Sequence, residues 1–156
     1  MAHESAAAFK AARAALVADA TLVALIGAGT PRAYTMHVPQ TVGQGAWQDY
    51  ALLQLGSPGR DSQVLDNRRT MTTPLIDAWF VTKDDPFSAA AQSAAKRIDE
   101  VLGKLAHASV TDTNGDAYTV SAQREGGANV IEIVDRETKQ RYYKVGASYR
   151  FYVSAS

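Results

Sequence analysis

From Tyr142 to Val153 the chain alternates without a fault. Tyr143, Val145, Ala147, Tyr149, Phe151 and Val153 fall on one side, Lys144, Gly146, Ser148 and Arg150 on the other. A period of two is the signature of a strand with one face on a core and the other toward water or a partner. Tyr50 to Gly56 repeats the pattern, with Ala51, Leu53 and Leu55 opposite Tyr50, Leu52 and Gln54. A third segment begins at Thr72 or Leu75 and runs to Thr82. It is apolar on both sides: Ile76, Ala78 and Phe80 on one, Leu75, Trp79 and Val81 on the other, interrupted only by Asp77. That pattern predicts a central strand covered on both faces. Pro74 belongs near its start, where a missing N–H is tolerated.

Helical periodicity predicts three further pieces. Ser5 is placed to cap a first helix with Phe9, Ala12, Leu16 and Val17 inward. Asp19 marks a break, after which Leu22, Leu25 and Ile26 form a short second turn. Gly27 and Gly29 stop it and Pro31 prevents resumption. After Thr82, Asp85 is expected to cap a long helix with Pro86 at its first position. Its inward stripe reads Phe87, Ala91, Ala94, Ile98, Val101, Leu102 and Leu105, with Lys96 and Glu100 one turn apart outside. The small side chains of Ala90, Ala91, Ala94 and Ala95 let that helix approach a sheet closely.

The connections are turn-rich. Arg32 to Val38 reads as a short extended piece closed by Pro39, and Gln40 to Asp49 as a loop. Ser57 to Arg69 is a polar loop too long for a tight hairpin. Asn114-Gly115 joins strands at Ser109 to Thr113 and Ala117 to Arg124. Gly126-Gly127 is expected to break the chain before another strand at Asn129 to Asp135. The sum is an α+β single domain spanning 1–156. It has a mixed or antiparallel sheet, two long helices on one face, a β-rich C-terminal half, and loose ends at 1–5 and 154–156.

Composition narrows the function classes. Sixteen basic residues balance sixteen acidic ones, so no global field draws in nucleic acid or anionic membrane. The absence of cysteine excludes disulfides and thiolate metal sites and suits a reducing compartment. Ala6 to Ile26 is largely apolar, but Lys10, Arg13 and Asp19 interrupt it. No uncharged span approaches the roughly 20 residues of a membrane helix.

No chemistry-bearing constellation emerges. Gly27-Ala28-Gly29-Thr30 follows a helix instead of preceding one, so it reads as a helix end and not a phosphate loop. His3, His37 and His107 have no second ligand at metal spacing. Asp84-Asp85 is accounted for by capping and Asp99-Glu100 by solvation of a helix face. Neither catalytic, cofactor nor metal residues are expected. The candidate contacts are for protein partners. Arg60, Arg68 and Arg69 form the densest cationic stretch, although Asp61 and Asp66 beside them favour a merely solvated loop. Trp47 is either a lid over the core or an interface anchor. Tyr142 and Tyr152 lie off the core face of the last strand, as do Lys144 and Arg150.

This order of elements resembles phage tail-completion proteins, which are similar to the tail terminators of long-tailed phages. The matching segments are Ala14-Ala-Leu-Val-Ala-Asp-Ala-Thr-Leu-Val-Ala-Leu-Ile-Gly and Arg32-Ala-Tyr-Thr-Met-His-Val-Pro-Gln, followed by Ile76-Asp-Ala-Trp-Phe. Ile98-Asp-Glu-Val-Leu-Gly-Lys-Leu ends the helix and Val134-Asp-Arg-Glu-Thr precedes the last strand. Where the family enters its first long strand with aromatic–Pro–Tyr, this chain has Trp47-Gln-Asp-Tyr. The resemblance implies a structural virion protein that caps the tail tube as a hexameric ring. Its partners would be copies of itself, the tail tube protein and the head–tail connector, with DNA only in transit through a lumen. Location in the virion tail or neck follows, with assembly in the host bacterial cytoplasm. A closed ring requires a heterologous interface, for which a polar-faced strand carrying Lys144, Ser148 and Arg150 is available. A neck or head–tail adaptor is the alternative within the same class. A small enzyme or ligand-binding α+β domain is the alternative outside it.

Overall fold

The computed structural model describes residues 2–27, 29–38, 47–57, 61–63 and 69–156, and the side chains of 3–27, 29–38, 47–57 and 71–156. Three helices and eight strands occur among them: α1 (Ala2–Ala18), α2 (Ala20–Ile26), β1 (Ala33–Thr35), β2 (Tyr50–Ser57), β3 (Asp61–Gln63), β4 (Arg69–Thr72), β5 (Leu75–Thr82), α3 (Ala89–Gly103), β6 (Ala108–Thr111), β7 (Ala117–Val134) and β8 (Arg141–Ala155). The α+β class with two long helices on one face is what the periodicity predicts.

The doubly apolar segment is central, as its composition requires. β5 lies between β2 and β8, antiparallel to both, with Ala78 opposite Leu53 on one side and Ala147 on the other. β1 adds in parallel at the outer edge of β2. β7 pairs along nearly the whole of β8, and β6 pairs with the start of β7. Ala51, Leu53, Ile76, Ala78, Phe80, Ala147, Tyr149, Phe151 and Val153 face the helices and are buried. Against them α1 offers Ala7, Ala8, Ala11, Ala12 and Leu16, α2 Leu22 and Ile26, and α3 Ala91, Ala94, Ile98 and Leu102. Alanine at so many contact positions brings the helix backbones close to the sheet. Asp19 separates α1 from α2 and caps the latter, its Oδ1 accepting from the Leu22 amide at 2.9 Å. Gly27, with φ 125°, ends α2 as expected of a glycine there.

Five expectations need correction. Ser5 is not a cap: α1 already starts at Ala2, and Glu4 is buried within its first turn. Asp85 and Pro86 do not open α3. Ser88 is its N-cap, accepting from the Ala91 amide at 3.2 Å, and Asp85 instead closes a preceding turn by accepting from the Phe87 amide at 2.9 Å. Phe87 consequently lies before the helix, off the rotation that aims Ala91, Ala94 and Ile98 inward, and is 71% exposed. The stretch from Ser57 to Arg69 is not simply a loop, because β3 and the start of β4 fall within it and pair antiparallel. Gly126-Gly127 does not break the chain either. Glu125 pairs with Ser148 and Asn129 with Gly146, so four steps on β7 match two on β8. The surplus is absorbed as a bulge, with Gly126 at φ 92°. The two strands expected at Ala117 to Arg124 and Asn129 to Asp135 are therefore one. The Asn114-Gly115 turn forms as predicted, with Gly115 at φ 90° and Asp112 Oδ1 accepting from the Asn114 and Asp116 amides.

Candidate functional site

The sheet face away from the helices carries most of the predicted contact residues. Register sets its rows: Tyr50, Val81, Lys144 and Ile131 lie side by side, then Leu52, Trp79 and Gly146, then Gln54, Asp77 and Ser148. The first rows are apolar. Tyr50, Leu52, Trp79 and Val81 are buried there, with Tyr34, Val38, Trp47 and Tyr142 packed against them. Gly146 faces the β5 backbone so closely that an added Cβ would lie 1.9 Å from the Ala78 carbonyl oxygen.

Trp47 is a lid on this second cluster. Its ring lies 5.9 Å from Tyr50 and 5.7 Å from Tyr142, and its Nε1 donates to Asp49 Oδ1 at 3.0 Å. Lys83 Nζ sits 5.4 Å from the ring centroid, in cation–π range. Burial pushes the Tyr50 hydroxyl up to about 12, with Tyr142 and Tyr34 adding to it. Burial also raises Tyr142, helped by the charge of Asp135. Tyr142 thus belongs to the same cluster as Trp47, a juxtaposition of residues 95 apart that spacing alone does not reveal.

Farther along, the face becomes polar and internally paired. Lys144 Nζ donates to Gln54 Oε1 at 2.9 Å, and Ser148 Oγ donates to Asp77 Oδ1. Burial pulls the Lys144 ammonium below its usual range, and Asp77 offsets part of that. Arg150 donates to both oxygens of Glu125 at 2.6 and 2.8 Å and to the Thr73 carbonyl at 3.1 Å. That guanidinium holds the Glu125 carboxyl below its ordinary range. Lys144 and Arg150 are therefore already engaged within the chain. Tyr152 is 36% exposed. Arg60 and Arg68 lie outside the described residues; Arg69 contributes its backbone to β4 opposite Gln63, and its side chain lies outside them too.

On the helix side a groove of about 210 Å³ opens between α3 and the β7–β8 pair. Tyr149 donates to Asp99 Oδ1 at 2.9 Å, and Arg124 stands 3.2 Å from Asp99 Oδ2. Burial, then the bond to Asp99, raises Tyr149. The volume falls below the usual 300–1,000 Å³ range of small-molecule pockets. Among the described residues no three His, Cys, Asp or Glu side chains gather where they could hold a metal ion. His3 faces Asp112 at 3.5 Å, while His37 and His107 are exposed on turns.

Two features escaped the sequence reading. Val130, Ile131 and Val134 are 39%, 42% and 46% exposed on β7. The apolar run from Val130 to Val134, broken only by Glu132, was the available signal. The other is a groove of about 330 Å³ between α1 and the outer edge of β1, lined by Ala6, Phe9, Lys10, Arg13, Thr35 and Met36. It joins parts of the chain that no local pattern connects.

The fold as a whole has a counterpart among solved structures. Over 97% of each chain, the fold superposes with a TM-score of 0.58 on a chain from the structure titled "Virion of native gene transfer agent (GTA) particle". Fold is what the two share. Sequence identity is 20%. No protein-family model matches the chain, and no curated protein matches it. No helix of the described residues is long and apolar enough to cross a membrane.

Proposed function

We propose that the chain is a structural virion protein without enzymatic activity, a tail terminator that caps the finished tail tube as a ring and offers the docking surface for the head connector. The observation that carries this reading is the match in fold to a component of a gene transfer agent virion, end to end in both chains. The sequence resemblance to tail-completion proteins points the same way. Surfaces at the two ends of the sheet add support: a ring is built by joining unlike faces of successive subunits. The partners are then copies of the chain, the tail tube protein and the head connector, in the tail or neck of a particle assembled in a bacterial cytoplasm. DNA passes through the lumen without being gripped, in keeping with a formal net charge of zero.

Light scattering coupled to size-exclusion chromatography tests the ring, and electron microscopy of tails from particles lacking the protein tests the role. Hexamers, together with tails of uncontrolled length and no head, support a terminator. Tails of normal length that fail to join a filled head assign the chain to the neck instead. A monomer that is absent from purified particles overturns the structural reading altogether.

A further inference from the structure

We infer that the α1–β1 groove of one copy receives the β7 edge of the next, head to tail. Alternation puts Val130, Glu132 and Val134 on one face of β7, an apolar–acidic–apolar series. Beyond Val120, which lies opposite the first residue of β6, the Ala122 amide still donates to the Leu105 carbonyl at 2.9 Å, but no further strand pairs with β7 on that side among the described residues. Exposed apolar edges of this kind are templates for association.

At the opposite end of the same sheet lies the complement. Phe9 and Met36, the latter 51% exposed, form the apolar part of the groove, and Lys10 and Arg13 supply its positive charge. Arg13 Nε donates to the Ala33 carbonyl of β1, which holds that cation beside the groove, while Lys10 Nζ reaches the Thr111 carbonyl of β6. Arg13 also occupies the β1 edge, so the groove is suited to side chains and not to another hydrogen-bonded strand. Glu132 has only a 3.5 Å contact with Arg141, and both side chains are well exposed, so it is readily exchanged for the groove cations. Val130 and Val134 then meet Phe9 and Met36. The two surfaces belong to β1 and β7, at opposite edges in the strand order, so a contact between them joins unlike faces of successive copies.

The inference deepens the proposed ring and rests on that reading for closure of the chain of contacts. The chain contains no cysteine, so Met36→Cys and Val130→Cys variants report on this contact alone. Mixed and treated with a short bis-maleimide, the two should give a 36-to-130 cross-linked dimer well above either like-with-like product. Glu132→Lys, with its fold checked by circular dichroism, should weaken self-association about tenfold. A dominant 130-to-130 product overturns the inference in favour of edge-to-edge pairing. Rings of unchanged size without the 36-to-130 product also overturn it, yet leave the ring reading intact. A monomer at every concentration overturns the inference, and one that is also absent from purified particles overturns both.

Discussion

Asp19 and Arg97 lie 78 residues apart in sequence and share a bidentate contact, Nε and Nη2 both donating to the carboxylate, with Nε 2.9 Å from each oxygen. The same Oδ1 caps α2 through the Leu22 amide, so one carboxylate ends the break between α1 and α2 and ties both to α3. Only 11% of the Asp19 side chain is exposed. Asp19→Ala removes a cap and leaves the Arg97 guanidinium with Glu100 as its remaining carboxylate partner. It should cost about 2 kcal/mol, or about 4–8 °C in Tm, measured by differential scanning calorimetry.

The pH dependence of that contact has a defined sign. The hydrogen bonds from Arg97 are the largest cause holding the Asp19 carboxyl below its ordinary 3.8. A depressed carboxylate contributes fully above its unfolded value and loses that contribution as pH falls through the folded one. Urea unfolding should therefore show wild type and Asp19→Asn far apart near pH ~6 and converging in the window below 3.8. An unchanged gap in acid would show that the carboxylate charge is not what stabilises the junction.

At the alkaline end Tyr50 behaves in the opposite sense. Its hydroxyl, ordinarily near 10.0, is pushed up to about 12, chiefly by burial. Stability is complete below the lower value and lost as pH rises through the upper one, because the fold disfavours the phenolate. Tyr50→Phe should flatten the loss of stability between those limits, followed by tryptophan fluorescence of Trp47 and Trp79, which report on the same cluster.

Gly146 and Gly103 should respond to alanine with opposite signs. A Cβ at Gly146 would meet the Ala78 carbonyl oxygen at 1.9 Å, between backbones fixed by pairing, so Gly146→Ala should destabilise by about 3 kcal/mol or yield insoluble protein. Nothing lies within 4 Å of a Cβ at Gly103 in α3, and Gly103→Ala should stabilise by about 0.5 kcal/mol. Thermal melts of the pair discriminate; equal effects would contradict the packing described at the β5–β8 seam.

Phe87 and Ile98 make a sharper contrast, because helical spacing assigns both to one buried stripe. Ile98 is 1% exposed and Phe87 71%. Ile98→Ala should cost about 2–5 kcal/mol through the cavity it leaves. Phe87→Ser should change stability by no more than about 0.5 kcal/mol. A large loss at Phe87 would show that it packs in the folded chain.

Local chemistry made the elements legible. Unbroken alternation from Tyr143 to Val153, apolar groups on both faces of β5, Asp19 at a helix break and Asn114-Gly115 at a turn each follow from short-range sterics and from which side chains water rejects. The sequence thus determined a helix-covered sheet with β5 at its centre, and the position of the α1–α2 break. Its errors fall where two local signals compete. Asp85 and Ser88 both qualify as caps, and the tertiary packing of α3 selected Ser88. Gly126-Gly127 suits a break or a bulge equally, and continuous pairing with β8 chose the bulge. The candidate surfaces depended still more on tertiary structure. Trp47 meets Tyr142, Arg150 engages Glu125, and the groove beside β1 forms at the far end of the sheet from β7, because strand order and register bring together or hold apart residues that the linear chain does not relate.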